Sequence, residues 1–107
     1  MPERSRPPTW SPEARADLSD IWTYYAEVAG PQTADNAVRQ IGGACGSIAR
    51  YPLGGRARDE VRPGLRSLAV RAHVVFYRLR DGAPEIVRVL DARRDLDEPF
   101  GGDLSGP

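Results

Sequence analysis

Apolar residues recur at helical intervals over residues 14–29, where Ala14, Leu18, Ile21, Trp22, Tyr25 and Ala29 form one stripe with polar positions between them. Ser11-Pro12-Glu13 precedes the stripe and reads as a helix start: serine caps, proline pre-sets the first helical φ, and glutamate favours the positive end of the dipole. Gly30-Pro31 ends this helix, and a second stripe of Ala34, Val38, Ile41, Cys45 and Ile48 begins at once. So short a connection predicts a helix hairpin. From Leu65 the period changes to that of strands. Residues 65–70, 73–80 and 85–90 are β-branched or aromatic runs separated by Arg71-Ala72 and by Asp81-Gly82-Ala83-Pro84, and they predict a three-stranded antiparallel meander. Pro8-Thr9-Trp10 supplies a short first strand, and the polar stretch 56–64 reads as loop by composition.

Gly42, Gly43 and Gly46 interrupt the second helix, each at a cost of about 0.8–1 kcal/mol relative to alanine. Gly42 flanks the apolar stripe, where it would permit close helix contact; Gly43 lies opposite, where packing within the chain does not explain it. Pairing the last two strands about the 81–84 turn puts His73, Val75, Tyr77 and Leu79 on one face with Ile86, Arg88 and Leu90. The other face then carries Val74, Phe76, Arg78 and Arg80 with Glu85, Val87, Val89 and Asp91. Both faces are largely apolar, and one helix hairpin covers one of them. The second face is left for the C-terminal tail, through Leu96 and Phe100, or for a partner segment lying on it.

At 107 residues the chain is predicted to be one domain, residues 8–98, with a disordered lead at 1–7 and a flexible, Gly-rich tail at 99–107. With 40% hydrophobic and 28% charged residues it has the balance of a soluble globular protein. The longest apolar run, Val74 to Tyr77, is far too short for a bilayer, and residues 1–8 lack the apolar core of a secretory signal, so a cytoplasmic protein is expected. All 15 basic residues are arginine and 15 acids balance them. A protein that grips a nucleic-acid backbone usually carries a positive excess, which this one lacks. Arginine-only usage is read first as a coding bias and second as a capacity for bidentate carboxylate pairing.

Candidate chemistry is sparse. Cys45 is the single cysteine and sits in a helical apolar stripe, the setting of a structural thiol; with one cysteine there is no internal disulfide and no cysteine-based zinc site. His73 is the single histidine, at a strand start, with no metal-ligand spacing around it. The stretch R-V-L-D-A-R-R-D at 88–95 reads as the last strand, Arg88 on one face and Val89 and Asp91 on the other, leaving through a polar exit of Arg93, Arg94 and Asp95. No catalytic residue, metal or cofactor is assigned.

Five strings in order, S-P-E-A-R-A-D-L-S-D-I-W-T-Y (11–24), R-Y-P-L-G-G-R (50–56), R-P-G-L-R-S-L-A-V (62–70), H-V-V-F-Y-R-L (73–79) and E-I-V-R-V-L-D-A-R-R-D-L (85–96), resemble the ParE branch of the RelE/ParE toxin superfamily. The resemblance implies an α+β fold, β-α-α-β-β-β, with the hairpin packed on a small antiparallel sheet. It implies the toxin of a bacterial type II toxin-antitoxin module, a non-enzymatic inhibitor of DNA gyrase neutralised by a ParD-like antitoxin in a hetero-oligomer. Operator DNA would be reached only through that antitoxin. For the antitoxin the expected contacts are Trp22, Val74, Phe76, Arg78 and Arg88; for the target, or for phosphate, Arg62, Arg66, Arg93 and Arg94. RelE-type relatives cut mRNA on the ribosome, often with a histidine or tyrosine near the C-terminal end. Asp91 stands where many have histidine, which makes cleavage the secondary reading, with a degenerate, non-toxic antitoxin binder as the third.

Overall fold

A computed structural model describes residues 7–93 and Phe100. The expected contacts or packing of Arg94, Asp95 and Leu96, and most of the lead and tail, lie outside the described residues. The elements are β1 (Thr9–Trp10), α1 (Pro12–Ala29), α2 (Pro31–Arg50), β2 (Arg56–Ala57), β3 (Arg66–Val70), β4 (His73–Arg80) and β5 (Ala83–Asp91). They form a five-stranded sheet in the order β1-β5-β4-β3-β2. The expected β-α-α-β-β-β order holds with two refinements. β1 pairs parallel with β5, so the sheet is mixed, and the 56–64 stretch, expected to be all loop, contributes β2 against β3.

Ser11 starts α1 as its sequence suggests, its Oγ accepting from the Ala14 N–H at 3.0 Å. The same hydroxyl donates to the Val87 carbonyl at 2.8 Å, and the Ser11 N–H donates to the Ile86 carbonyl, so the cap also fastens the helix start to β5. Gly30 serves both helices at φ +95°, a conformation that suits glycine, with Pro31 at the first position of α2. Of the two- and four-residue turns that the sequence allows between β4 and β5, the shorter is found: Asp81 and Gly82, both at positive φ, make a two-residue hairpin connection, and Ala83 and Pro84 already belong to β5.

The helices cover one face of the sheet. Ala14, Ile41, Cys45 and Ile48 pack there with Val75, Tyr77, Ile86 and Val89, each at most 2% exposed. Burying an aliphatic side chain of this kind contributes about 1.5–3 kcal/mol. The predicted face assignment holds from the turn as far as Val87 and fails for Val89 and Leu90 after it. Tyr77 pairs with Ile86 but Phe76 pairs with Arg88, so Val87 has no partner and the alternation slips by one residue. Val89 therefore joins Val75 under the helices, and Leu90 joins Phe76 on the far side, the reverse of the sequence reading. The α1 stripe also needs correction: Ala29 is exposed, Trp22 is 38% exposed, and Asp17 is buried instead.

Gly42 is not a site of close helix contact. A Cβ added at Gly42, Gly43 or Gly46 would meet nothing within 4 Å. Gly43→Ala and Gly46→Ala are accordingly expected to raise stability by about 0.8–1 kcal/mol each through helix propensity, read as a higher urea midpoint at unchanged slope. A lower midpoint would contradict the open surroundings found for these positions.

Candidate functional site

Three regions carry the residues of functional interest. The first is a groove of about 600 Å³ along the helices, lined by Trp10, Leu18, Trp22 and Val38 with Arg15 and Ser19. It lies beside the β1 edge because Trp10 ends that strand. The Trp22 indole N–H donates to Asp35 Oδ1 at 2.9 Å, which ties α1 to α2 and fixes the ring, leaving it partly exposed.

The second region is the far face of the sheet, which the sequence left open to tail or partner. Leu65, Phe76, Leu90 and Phe100 form a buried cluster there, with Val61, Val74 and Val87 packed against it. Phe100, from the segment expected to be flexible, sits edge-on to Phe76 at 5.2 Å between ring centroids. Arginines close the rim: the Arg58 guanidinium lies 5.5 Å over Phe76 and that of Arg62 lies 5.2 Å over Phe100. Arg62 also donates to the Phe100 carbonyl at 2.8 Å. Arg78 is exposed on this side and paired with Glu85 at 2.7 Å, with Arg80 at 3.8 Å from the same carboxylate.

The third region is the far end of β5, where Arg88 and Asp17 meet. The Arg88 guanidinium donates through two nitrogens to both Asp17 oxygens at 2.8 Å, and the Val89 N–H donates to Asp17 Oδ2 at 2.9 Å. Both side chains are more than four-fifths buried, and the hydrogen bond to Asp17 is the main reason the Arg88 proton is held more tightly than usual. Arg88 was expected on the face of Val75, Tyr77 and Ile86 and does meet α1 there, whereas Val89, expected on the opposite face, packs under the helices as well. The pair was legible only as two anomalies, an acid inside the α1 stripe and an arginine inside I-V-R-V-L.

Next to this pair a cleft of about 490 Å³ holds Asp20, Tyr24, Tyr25, His73, Asp91 and Arg93. His73 stands across the strand pair from Asp91 and edge-on to Tyr25 at 6.1 Å. Burial lowers its proton affinity against the opposing pull of Asp91. The Asp91 carboxyl is held below the usual range chiefly by the Arg93 N–H, which donates to it at 2.8 Å. Cys45 is distant in role: burial pushes its thiol up to about 12, far from a thiolate at neutral pH. Among the described residues no group of three or more His, Cys, Asp or Glu is placed to hold a metal ion, and no helix is long and apolar enough to cross a membrane.

The predicted residues are thus dispersed. Trp22 stands on the helix groove; Val74, Phe76 and Arg78 belong to the far sheet face; Arg88 braces α1. Arg62 serves Phe100, Arg93 serves Asp91, and Arg66 donates to the Leu53 and Gly55 carbonyls at 2.9 and 2.7 Å. The sequence missed Asp17, and it missed Tyr77 as the anchor of the loop after α2.

A helix hairpin on one side of a small sheet, in the order β-α-α-β-β-β and with aromatic surfaces at its edges, defines the RelE/ParE-like class of α+β proteins. The family model for the ParE toxin of the type II toxin-antitoxin system parDE matches residues 9–96. Toxin ParE1 of Mycobacterium tuberculosis is 40% identical over 88 residues, covering 81% of this chain and 90% of that protein. Toxin ParE1 of Caulobacter vibrioides is 39% identical over 85 residues, 79% and 88% of the two chains. A solved structure titled "Chromosomal ParDE TA system from P. aeruginosa" superposes at a TM-score of 0.72 with 25% identity, over 81% of this chain and 96% of that one. The chain belongs to the ParE toxin family of type II toxin-antitoxin systems.

Proposed function

We propose that this toxin acts in the cytoplasm by binding DNA gyrase rather than by catalysis, and that a ParD-like antitoxin holds it inactive in a hetero-oligomer. The observation that carries the antitoxin half is the groove of Trp10, Leu18, Trp22 and Val38, an open, largely apolar surface of the kind an amphipathic segment occupies. Arg15 within it offers an acidic segment a charge partner. Arg78 lies at the rim of the far sheet face. Val74 and Phe76 add to that contact where Phe100 gives way, and Arg88 contributes by holding α1 on β5. Binding rather than RNA cleavage is favoured because the groups that cleavage would draw on are engaged: His73 with Tyr25 and Asp91, Arg62 with Phe100, Arg66 with loop carbonyls.

Induced expression without the antitoxin is expected to arrest growth and raise the DNA-damage response, and the purified chain to inhibit gyrase supercoiling while cleaved DNA accumulates. Cleavage of mRNA in a translation extract, abolished by Arg62→Ala or Arg93→Ala, would replace this reading with the RelE-type one; harmless expression would leave only antitoxin binding. For the groove, Trp22→Ala is expected to weaken antitoxin affinity by about 2–4 kcal/mol while growth arrest persists. Calorimetry that finds the affinity unchanged would move the antitoxin elsewhere.

A further inference from the structure

The loop between α2 and β2, residues 51–55, presents the two most exposed large apolar side chains among the described residues, Tyr51 at 67% and Leu53 at 68%. Such exposure on a flexible loop would mean little. This loop is fastened from beneath. The buried Tyr77 hydroxyl donates to the Pro52 carbonyl at 2.8 Å and accepts from the Gly55 N–H at 2.9 Å. Arg66 reaches from β3 to the Leu53 and Gly55 carbonyls, and the Gly54 N–H closes a turn on the Tyr51 carbonyl. The ordering cost of the loop backbone that carries these side chains is therefore met before any partner arrives, as preorganised contacts require.

The electrostatic setting is equally uneven. Between Asp35 and Asp59 the chain holds Arg39, Arg50, Arg56 and Arg58 and no acid, although the whole protein is neutral. Arg58 is paired with Glu60 at 2.7 Å, and Arg56 lies within electrostatic reach of the same acid. Arg50 and Arg56 flank the loop, both are exposed, and among the described residues neither makes a salt bridge. A tyrosine and a leucine with arginines at the rim is the composition of a protein contact with an apolar centre and a charged edge. A nucleic-acid groove would show a broader positive excess.

We infer that this loop is the toxin's target-docking knob, inserting Tyr51 and Leu53 into an apolar pocket of a folded protein whose rim carries carboxylates. The inference rests on the reading that the toxin acts by binding a target protein, and it separates that target from the antitoxin. An exposed, braced loop fits a preformed pocket, whereas an antitoxin segment that folds on binding needs a groove, and the larger apolar groove lies beside β1. β1 and β2 are the two opposite edges of the sheet, four strand spacings or about 19 Å apart.

The test uses the full chain carrying Tyr51→Ala and Leu53→Ala together, expressed without antitoxin and also purified for calorimetry against the ParD-like antitoxin. Both side chains are exposed, so the melting temperature should stay within a few degrees of wild type. Growth arrest is expected to need about a hundredfold more toxin, with antitoxin affinity within threefold of wild type. Arg50→Glu with Arg56→Glu should weaken arrest about tenfold, an effect that shrinks as salt rises. If the wild type arrests growth and the double variant does so equally, the loop assignment falls and the toxin reading stands. A tenfold loss of antitoxin affinity instead would put the antitoxin on the loop and overturn the assignment. A wild-type chain that arrests nothing removes both.

Discussion

Asp17→Ala is expected to destabilise the toxin by about 3–5 kcal/mol, the largest effect of any single polar substitution here. The carboxylate receives two donors from Arg88 and one from the Val89 N–H, and the residue is 9% exposed. Removing it takes both carboxylate acceptors from a guanidinium that is 17% exposed and orphans a buried backbone donor. For a chain of this size the melting temperature should fall by at least about 12 °C. Arg88→Met leaves the acid unpaired and should cost nearly as much. The double variant Asp17→Leu with Arg88→Met then separates charge from packing, because well-packed apolar replacements of a buried pair are often neutral. Recovery should stop about 1–3 kcal/mol short of wild type, since the Val89 N–H still lacks its acceptor. A double variant no more stable than either single one would show that the pair's mutual attraction is not what these residues supply. Antitoxin affinity measured on Arg88 variants must be read through this effect, as must any measured on Phe76→Asp: Phe76 is 2% exposed, and a charge there opposes folding before it opposes binding.

The helices were legible because each rests on local signals that tertiary structure did not override. Ser11-Pro12, Gly30-Pro31 and the two apolar stripes set both helices and their hairpin, and the turn residues Arg71-Ala72 and Asp81-Gly82 set the meander. What escaped was non-local. Nothing in V-R-V announces that Val87 will be left without a partner, because a bulge is decided by what the strand must reach, here Asp17 on α1. One skipped residue then exchanged the faces of Val89 and Leu90. β2 escaped because its two residues owe their strand geometry to pairing with Ser67 and Arg66 rather than to their own propensity. The far face was correctly seen as apolar and in need of cover, and Phe100 covers part of it. The functional surfaces were hardest. Trp22 was read as both stripe and contact; its ring is tied to Asp35 at the groove and stays partly exposed rather than joining the core. Tyr51 and Leu53 carry no local signal of their own, because the loop that displays them is held by the distant Tyr77 and Arg66 through its backbone carbonyls.

That hold predicts a second large effect. Gly55→Ala would put a Cβ 2.5 Å from the Tyr77 hydroxyl and 2.7 Å from the Ser67 carbonyl, distances that real Cβ atoms do not occupy. The Ser67 carbonyl belongs to β3, where Ser67 pairs with Arg56 of β2, so it cannot retreat without disturbing that pairing. Overpacking of this kind costs about 1–3 kcal/mol, and the midpoint of urea unfolding should fall accordingly. Tyr77→Phe keeps the ring in the core but leaves the buried Gly55 N–H without its acceptor, a loss of about 1–3 kcal/mol. The two substitutions share an atom, so their effects should not add: with the hydroxyl gone the alanine loses its closest clash, and the double variant should be less destabilised than the sum, though the Ser67 carbonyl and the ring carbon Cε1 at 2.8 Å still crowd it. Strict additivity would show that the hydroxyl is not what fills the space above Gly55. Because Tyr51 and Leu53 keep their side chains in both variants, any loss of growth arrest in a folded Tyr77→Phe toxin measures how much the docking loop depends on being held rather than on what it displays.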